Sequence, residues 1–340
     1  MNLFEKIKAG DIRSIARLIT QVERRDPEAI KAIKEIYPHC GNAHLIGITG
    51  PPGVGKSCLV SELAGKFRAK NRTVGILAVD PSSPFSGGAL LGDRARMFEL
   101  AGDKDVFIRS LASRGASGGL SAAVNDAADI LDMFGKDIVL IETVGVGQGE
   151  VDIARLAHTV LLVLMPGYGD ALQAMKAGIM EIADLLIVNK ADLSGADEAV
   201  AELSTVQGFQ GMREGQDKWV APIIKSSTLD GEGIEDIAGA VLKHFEYVKE
   251  QGLLRKKNRD RRTNQFLDIF TQRIRDEFMK LVKTDAGIQR WFDKIGDLEL
   301  DPYSASEQVI ELLRKAREQE RESRKKLRNE YVLRSETTYR

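Results

Sequence analysis

The chain has 340 residues, of which 43% are hydrophobic, and its formal net charge is -1. A chain of this composition can bury one large core, and it lacks both the positive charge expected of a nucleic-acid-binding protein and the apolar run of about 20 residues that spans a membrane. Only Cys40 and Cys58 occur, which argues against a disulfide framework and predicts a reducing, cytoplasmic compartment.

The first predicted elements are helical and extend from Leu3 to about Tyr37. Asp11 stands where a helix N-cap is expected, and the apolar residues after it recur at helical spacing. The residues predicted to share this apolar face are Ile12, Ile15, Leu18, Ile19 and Val22. We therefore assign residues 1–42 to an N-terminal helical extension.

From His44 to about Ser227, short β-branched runs alternate with helical stretches. The runs predicted to be strands are Leu45–Ile48, Val74–Val79, Val106–Ile108, Ile138–Ile141, Val160–Met165, Leu185–Val188 and Ala221–Ile224. Runs that are apolar on both faces and separated by helices are typical of a mainly parallel sheet covered by helices on both sides. The sequence thus predicts an α/β domain over residues 43–245, with its ligand at the carboxyl ends of the strands.

The segment after the first strand has the pattern of a phosphate-binding loop. Its residues are Gly50, Pro51, Pro52, Gly53, Val54, Gly55, Lys56 and Ser57, followed by Cys58 in the next helix. A nucleotide phosphate chain needs N–H groups at a helix N-terminus, glycines that admit it closely, a lysine for the β- and γ-oxygens, and a hydroxyl for Mg²⁺. Lys56 and Ser57 occupy the last two positions, so a P-loop NTPase is favoured over a plain glycine-rich turn.

Two aspartates after the second strand are candidate metal ligands and catalytic residues. Asp80 directly follows Val74–Val79, and Asp93 lies in the loop Gly87–Arg94. Phosphoryl transfer is catalysed mainly by positioning and charge stabilisation, so carboxylates here can hold Mg²⁺ directly or through water. The alternative interpretations are a turn-capping residue for Asp80 and a helix N-cap for Asp93.

A further carboxylate, Glu142, follows the strand Ile138–Ile141. We expect it to hold the water shell of the metal, and we expect Gly145 to present its amide to the γ-phosphate. Gln148 lies three residues beyond that glycine, so it is kept as a candidate switch residue and is not assigned the orientation of the attacking water. Slow hydrolysis without a partner is the resulting prediction.

The loop Pro166–Asp170 follows the strand Val160–Met165 and has two glycines around a tyrosine. This composition predicts a mobile segment that opens a helix. Asp170 is either an N-cap or a switch residue, and the sequence does not choose between these roles.

The strand Leu185–Val188 ends in a motif that predicts guanine binding. The Asp192 carboxylate can accept hydrogen bonds from guanine N1–H and the exocyclic amine, whereas adenine presents an acceptor at N1. Charge-assisted bonds contribute about 1.5–3 kcal/mol each, so such a site rejects adenine. Lys190 is expected to lie along the base and Asn189 to tie this loop to the phosphate loop. After the last strand, Ser226 and Ser227 offer a backbone amide to guanine O6.

Beyond about Gly233 the strand pattern stops and long helical patterns follow, which we assign as a C-terminal helical arm over residues 246–340. Its apolar stripe is predicted to be packed core or a dimer seam and consists of Phe266, Phe270, Ile274, Phe278 and Leu281. The stretch 314–328 is almost entirely polar and charged. It predicts a projecting or partner-contacting helix, because it has little apolar surface to bury.

Together these motifs resemble the MeaB/ArgK-type GTPases, relatives of the human methylmalonic aciduria type A protein, within the SIMIBI class of P-loop proteins. The resemblance covers nearly the whole chain and is carried by Gly50–Ser57, Asp80–Arg94, Glu142–Gln148, Pro166–Asp170 and Asn189–Asp192. It implies a G-protein chaperone that binds an adenosylcobalamin-dependent acyl-CoA mutase, couples GTP to cofactor delivery, and protects or reactivates that mutase.

The resemblance also implies roles for individual residues. Those implied to contact phosphate or Mg²⁺ are Lys56, Ser57, Asp80, Asp93 and Glu142. Asp170 and Lys176 are implied to belong to a third switch loop that signals to the mutase, and the C-terminal helices are implied to form a homodimer. Similar proteins have been described as amino-acid transport ATPases or kinases, and Asn189–Asp192 argues against that description because its base site suits guanine.

Two alternative functions remain open at this level. A nickel metallochaperone GTPase of the same class needs imidazole or thiolate ligands, and His39, Cys40 and His44 are the candidates. A switch GTPase acting on membranes or RNA is compatible with the charged C-terminal stretch, but the near-neutral net charge gives no electrostatic footprint for either partner.

Overall fold

The computed structural model describes residues 5, 7, 11–80, 100, 102–112, 122–143, 149–167, 179–211, 219–284, 286–311 and 314. The chain divides into two compact units, Met1–Asp268 and Ile269–Arg340.

The N-terminal part of the first unit is helical, as predicted. It consists of α1 (Ile12–Glu23), α2 (Pro27–Ile36) and a 3-10 turn (Tyr37–His39). The side chain of Asp11 caps α1 and that of Asp26 caps α2, where a proline occupies the first helical position. Of the predicted apolar face of α1, Ile15, Leu18, Ile19 and Val22 are buried. The prediction is wrong for Ile12, which is 46% exposed in the first turn, outside the buried stripe.

A seven-stranded sheet forms the centre of the first unit and confirms the seven predicted strands. The strands are β1 (His44–Thr49), β2 (Val74–Asp80), β3 (Val106–Ala112), β4 (Ile138–Glu142), β5 (Thr159–Leu164), β6 (Leu185–Val188) and β7 (Ile223–Lys225). All neighbouring pairs are parallel, in the order β3-β2-β4-β1-β5-β6-β7. The strand that leads into the phosphate loop is therefore interior, between β4 and β5.

Helices cover both faces of the sheet. They are α3 (Lys56–Ala69), α4 (Ala122–Met133), α5 (Gly149–Leu156), α6 (Ala196–Gly211) and α7 (Ile234–Glu250). Successive strand residues enter opposite layers: Leu45 packs with α1, α4 and α5, whereas Ile46 packs with α3 and α7. A third apolar cluster lies under α6. This arrangement confirms the predicted α/β fold.

Long helices follow the sheet. They are α8 (Leu253–Thr284), within which the division between the two units falls, and α9 (Ala286–Gly296), and residues 302–311 are also helical. Along α8, Phe266, Phe270, Ile274 and Leu281 are 45–61% exposed. The packed-core interpretation is therefore wrong for these residues, and the dimer seam stays a prediction. Most of the polar stretch 314–328 lies outside the described residues.

Across the described part of the chain, no helix combines the length and the apolar character that crossing a membrane requires.

Candidate nucleotide-binding site

The loop between β1 and α3 lies tightly against its neighbours. A Cβ added to Gly50 would lie 2.0 Å from the Val163 carbonyl oxygen on β5. One added to Gly55 would lie 2.5 Å from the side-chain nitrogen of Asn189. Both glycines also have positive φ values, +140° and +93°, that residues with a Cβ rarely adopt. The glycine pattern therefore allows the loop to close over the N-terminus of α3, where phosphate groups are commonly bound.

The Lys56 side chain is folded into this loop. Its Nζ donates hydrogen bonds to the carbonyl oxygens of Gly50, at 2.8 Å, and Pro51, at 2.9 Å. The residue is only 6% exposed, so a positive charge sits in a confined site at a helix N-terminus. Charge and helix dipole there both favour an anionic ligand.

A hydroxyl and a carboxylate meet beside the lysine. Ser57 Oγ donates to Glu142 Oε1 at 2.7 Å, and both residues are less than a tenth exposed. They come together because β1 and β4 pair in register from His44 with Ile138 to Ile48 with Glu142. Hydroxyl and carboxylate oxygens are the hard donors that Mg²⁺ prefers, so this pair fits a magnesium ion.

Two threonines, which the sequence analysis did not identify, join the ends of these strands. Thr143 Oγ1 donates to Thr49 Oγ1 at 3.0 Å, and the Thr143 amide donates to the Ile48 carbonyl at 3.0 Å. Both hydroxyls are buried. This contact fixes the end of β1, where the phosphate loop starts, next to the end of β4, where Glu142 lies. Thr49 is the last residue of β1 and Thr143 directly follows β4, and no sequence pattern indicates that these two residues meet.

The predicted base loop is tied to the phosphate loop. Asn189 Nδ2 donates to the Val54 carbonyl at 2.8 Å, and Ser226 Oγ donates to Asn189 Oδ1 at 3.1 Å. Asn189 and Ser226 are both fully buried. The side chain of Asn189 thus joins the phosphate loop, as the sequence led us to expect, and also the loop after β7, which the sequence did not predict.

The Asp192 side chain is oriented by the loop after β7. Ser227 Oγ lies 3.0 Å from Asp192 Oδ1 and 2.8 Å from Asp230 Oδ2. The Ala191 amide donates to the Ser226 carbonyl at 2.9 Å, so backbone and side-chain contacts both interlock the two loops. A carboxylate held in this way is preorganised to accept hydrogen bonds from a base.

Several predicted site residues lie outside the described residues. They are Asp93, Gly145, Gln148, Asp170 and Lys176, together with the side chain of Asp80. Asp80 ends β2, and Ala78 pairs with Glu142 in the neighbouring strand, so the backbone of Asp80 reaches the same edge of the sheet. The functional roles of all six remain predictions.

A separate polar cluster lies at the opposite, amino edge of the sheet. His44 Nε2 is 2.8 Å from Thr159 Oγ1, which is 2.9 Å from His244 Nδ1, and His244 Nε2 is 3.2 Å from Asp184 Oδ1. The His44 ring stacks on Phe245 with centroids 3.8 Å apart. The order of carboxylate, imidazole and hydroxyl is that of a nucleophilic triad. Thr159 is fully buried, so the group has no access to a substrate.

The ligands considered for nickel are engaged in other contacts. Burial, and then the nearby His158 and His244, hold the pKa of His44 well below its usual value. Burial and the charges of Asp129 and Asp132 raise the pKa of the Cys40 thiol to about 12. That thiol lies 3.4 Å from two backbone carbonyl oxygens. A protonated thiol is a poor metal ligand, so this geometry does not favour a nickel site.

Comparisons with known proteins identify a family of GTPases. The model of a family described as methylmalonyl Co-A mutase-associated GTPase MeaB matches residues 15–284. A Pyrococcus horikoshii protein named as a GTPase is 45% identical over 312 residues, which are 91% of this chain and 96% of that protein.

Two further relatives extend the comparison. The Caenorhabditis elegans protein named methylmalonic aciduria type A homolog, mitochondrial, is 32% identical over 297 residues, covering 82% of this chain and 73% of its own. A crystal structure described as LAO/AO transport system kinase is 25% identical, with a TM-score of 0.67, covering 92% of this chain and 96% of its own. The chain therefore belongs to the MeaB family of methylmalonyl Co-A mutase-associated GTPases, and it is a GTPase.

Proposed function

We propose that this GTPase is a chaperone of an adenosylcobalamin-dependent acyl-CoA mutase of the methylmalonyl-CoA mutase type. It gates delivery of the cofactor and protects or reactivates the mutase. The observation that carries the proposal is the extent of the family match, residues 15–284. The match includes most of α1 and all of α8, elements that nucleotide binding alone does not require. The name of the Caenorhabditis elegans relative points to the same metabolic step.

In the proposed nucleotide complex, the phosphates of GTP lie over residues 50–58. The ammonium of Lys56 then bonds to phosphate oxygens in place of the Gly50 and Pro51 carbonyls. Ser57 and Glu142, which already share a hydrogen bond of 2.7 Å, hold Mg²⁺ together with Asp80 and Asp93. The ion supplies neutralisation of the charge that develops on the phosphates. Gly145 presents its amide to the γ-phosphate.

The guanine base is proposed to bind between the two interlocked loops. Asp192 accepts from the base N1–H and amine, Lys190 lies along the ring, and the loop at Ser226 and Ser227 faces O6. The contacts that already orient Asn189 and Asp192 in the protein support this arrangement, because they lower the entropic cost of binding.

We further propose that Gln148, Asp170 and Lys176 respond to the γ-phosphate and transmit its loss to the mutase. We propose three domains, an N-terminal helical extension over residues 1–42, a GTPase domain over residues 43–245 and a C-terminal arm over residues 246–340 that forms a homodimer. The exposed apolar side chains along α8 support such a seam. Both cysteines are free thiols, which supports a cytoplasmic site of action.

The proposal is tested with a purified adenosylcobalamin-dependent acyl-CoA mutase from the same cell. We expect a complex on size-exclusion chromatography whose stability differs between GDP and a non-hydrolysable GTP analogue, and GTP hydrolysis that rises at least tenfold when the mutase is added. Lys56→Ala serves as the control, because its complex should no longer respond to the nucleotide. A mutase that neither binds the chain in any nucleotide state nor accelerates hydrolysis contradicts the proposal.

A further inference from the structure

Helix α4 carries three aspartates, at positions 126, 129 and 132. Residues three apart lie on the same side of a helix, so these carboxylates form one acidic face. Two of them bond to α8 and the third to the segment before β1, and neither the nucleotide site nor the mutase proposal makes use of them.

Asp129 fixes the first turns of α8. It is 1% exposed and accepts hydrogen bonds from Arg262 and, at 2.7 Å, from Arg261. Arg261 is itself 3% exposed and also donates to the Asn125 side-chain and main-chain oxygens, at 3.2 and 3.3 Å. A buried carboxylate with two guanidinium partners holds its helix firmly, because either partner left alone would be an uncompensated buried charge.

Asp126 adds a second contact to α8. It accepts from Gln265 Nε2 at 2.9 Å, and Gln265 is 6% exposed. The bonded positions on α8, residues 261, 262 and 265, span one turn of that helix. The first unit therefore holds α8 to α4 at two points.

Asp132 connects the same helix to the strand that precedes the phosphate loop. Its carboxylate accepts from the amides of Gly41, Asn42 and Ala43, the last at 3.0 Å. These residues lead directly into β1. The chain after α4 also turns at Gly135 and enters β4, the strand that ends at Glu142. One helix thus contacts or continues into both strands that deliver Ser57 and Glu142.

We propose that Asp129 and Asp132 are positioning residues for the magnesium-dependent binding of guanine nucleotide, acting through the β1–β4 pair. Displacement of the first turns of α8 moves α4, and α4 moves the entry of both strands. The pair is closely bonded over five register positions, and the Thr143–Thr49 contact bridges its far end. Packed elements of this kind shift as units, so the spacing of Ser57 and Glu142 changes with them.

The inference rests on the proposed magnesium site at Ser57 and Glu142. Its test is the affinity for a fluorescent GDP analogue, measured once with EDTA and once with magnesium. For Asp129→Asn we expect an EDTA affinity within about twofold of wild type and a magnesium-dependent gain reduced about three- to tenfold. Asp132→Asn should behave alike. A wild-type chain without any magnesium-dependent gain removes the proposed metal site, which is a result distinct from failure of this inference.

Glu23→Gln is the matched control. It removes the carboxylate that pairs with Arg109, which also donates to Thr20 Oγ1 at 2.9 Å. This largely buried ion pair, of 2.9 Å, joins α1 to β3 and does not involve α8. We expect it to lower the melting temperature while leaving the magnesium-dependent gain unchanged. If Asp129→Asn does not fold, Arg262→Gln weakens the same contact from its more exposed side. The proposal is overturned if the magnesium-dependent gain in affinity is unchanged both in Asp132→Asn and in Asp129→Asn, or in Arg262→Gln where Asp129→Asn does not fold. It is also overturned if Glu23→Gln loses as much of that gain as these variants do.

Discussion

The two edges of the β-sheet both carry buried polar groups, but these groups are organised differently. At the amino edge, His44, Thr159 and His244 bond mainly to one another, and rigid strands and helices hold them. At the carboxyl edge, Lys56 begins α3 directly after the loop of residues 50–55, and its ammonium donates to carbonyls of that loop, whose glycines are fixed by close contacts. The comparison teaches that polar groups bonded to one another between regular elements, away from any loop, indicate a structural cluster, whereas polar groups gathered around a glycine-containing loop at a helix N-terminus indicate a ligand site.

The largest expected effect is at the carboxyl edge, in Lys56→Ala. The variant loses the ammonium that is buried beside the Gly50 and Pro51 carbonyls and keeps the rest of the loop. Because the lysine is proposed to stabilise charge on the transferred phosphate, we expect GTP hydrolysis to fall on the order of a hundredfold or more. Steady-state phosphate release measures it. Hydrolysis at the wild-type rate would show that the phosphate assignment is wrong.

Asp192→Asn tests the base end of the same edge. Loss of the carboxylate should weaken GTP binding by about 1.5–3 kcal/mol, roughly ten- to a hundredfold, and favour xanthine, whose 2-oxo group accepts from an amide. Competition between GTP and XTP for the protein gives the ratio directly. Ser227 Oγ keeps a partner in Asp230, so the loop should retain its fold. An unchanged preference for GTP counts against the base-site assignment.

Thr159→Val probes the amino edge, and we expect it to lower stability without changing nucleotide binding. The hydroxyl is fully buried and lies between two histidine nitrogens at 2.8 and 2.9 Å. Its removal leaves both nitrogens short of a partner, so we expect a loss of about 1–3 kcal/mol in the free energy of unfolding. GDP affinity at a temperature where the variant is folded should equal that of wild type. Ser57→Ala is the counterpart: we expect it to weaken magnesium-dependent GDP binding, which Thr159→Val should leave unchanged.

A pH dependence of stability is expected from His158. Burial lowers the pKa of His158 to about 4 in the folded protein, against 6.5 for the free group. Between these two values the unfolded chain binds more protons than the folded protein. The contribution of the neutral, buried His158 to stability is therefore complete above pH 6.5 and is lost as the pH falls from 6.5 through about 4. The slope is about 1.4 kcal/mol per pH unit at most. Urea unfolding at pH 7 and pH 5 should show a smaller difference for His158→Gln than for wild type.

Asp126 should act on stability in the opposite direction. Burial, and then the charge of Asp129, raise the pKa of Asp126 from 3.8 to about 7. The folded protein therefore binds the extra proton, and stability declines as the pH rises from 3.8 through about 7. Asp126→Asn should gain stability relative to wild type between pH 5 and pH 8. A constant difference between the two proteins over that range would contradict the assignment.

The sequence predicted the sheet well because its signals are local. Alternating β-branched runs and helices locate the strands to within a few residues, and Gly50–Ser57 and Asn189–Asp192 each contain their chemistry in one short segment. Their positions at the carboxyl ends of β1 and β6 follow from the parallel order.

The contacts that were missed join residues far apart in the chain. Arg261 and Asp129 are separated by 132 positions, and Thr143 and Thr49 by 94. The spacing of apolar residues does not indicate such a contact, because each of these residues fits its own helix or strand pattern whichever residue it meets across the fold. Exposure of the apolar stripe on α8 was also not predictable, since amphipathic spacing indicates a face to be covered without indicating which molecule covers it.

The most direct test of a guanine nucleotide at the carboxyl edge is calorimetry of the full chain in magnesium buffer. We expect GDP and GTP to bind with about one site per chain, and ATP to give no heat at the same concentration. The heat should depend on both Lys56 and Asp192. A folded sample that gives no heat with either guanine nucleotide, or equal heats with ATP and GTP, would contradict the account.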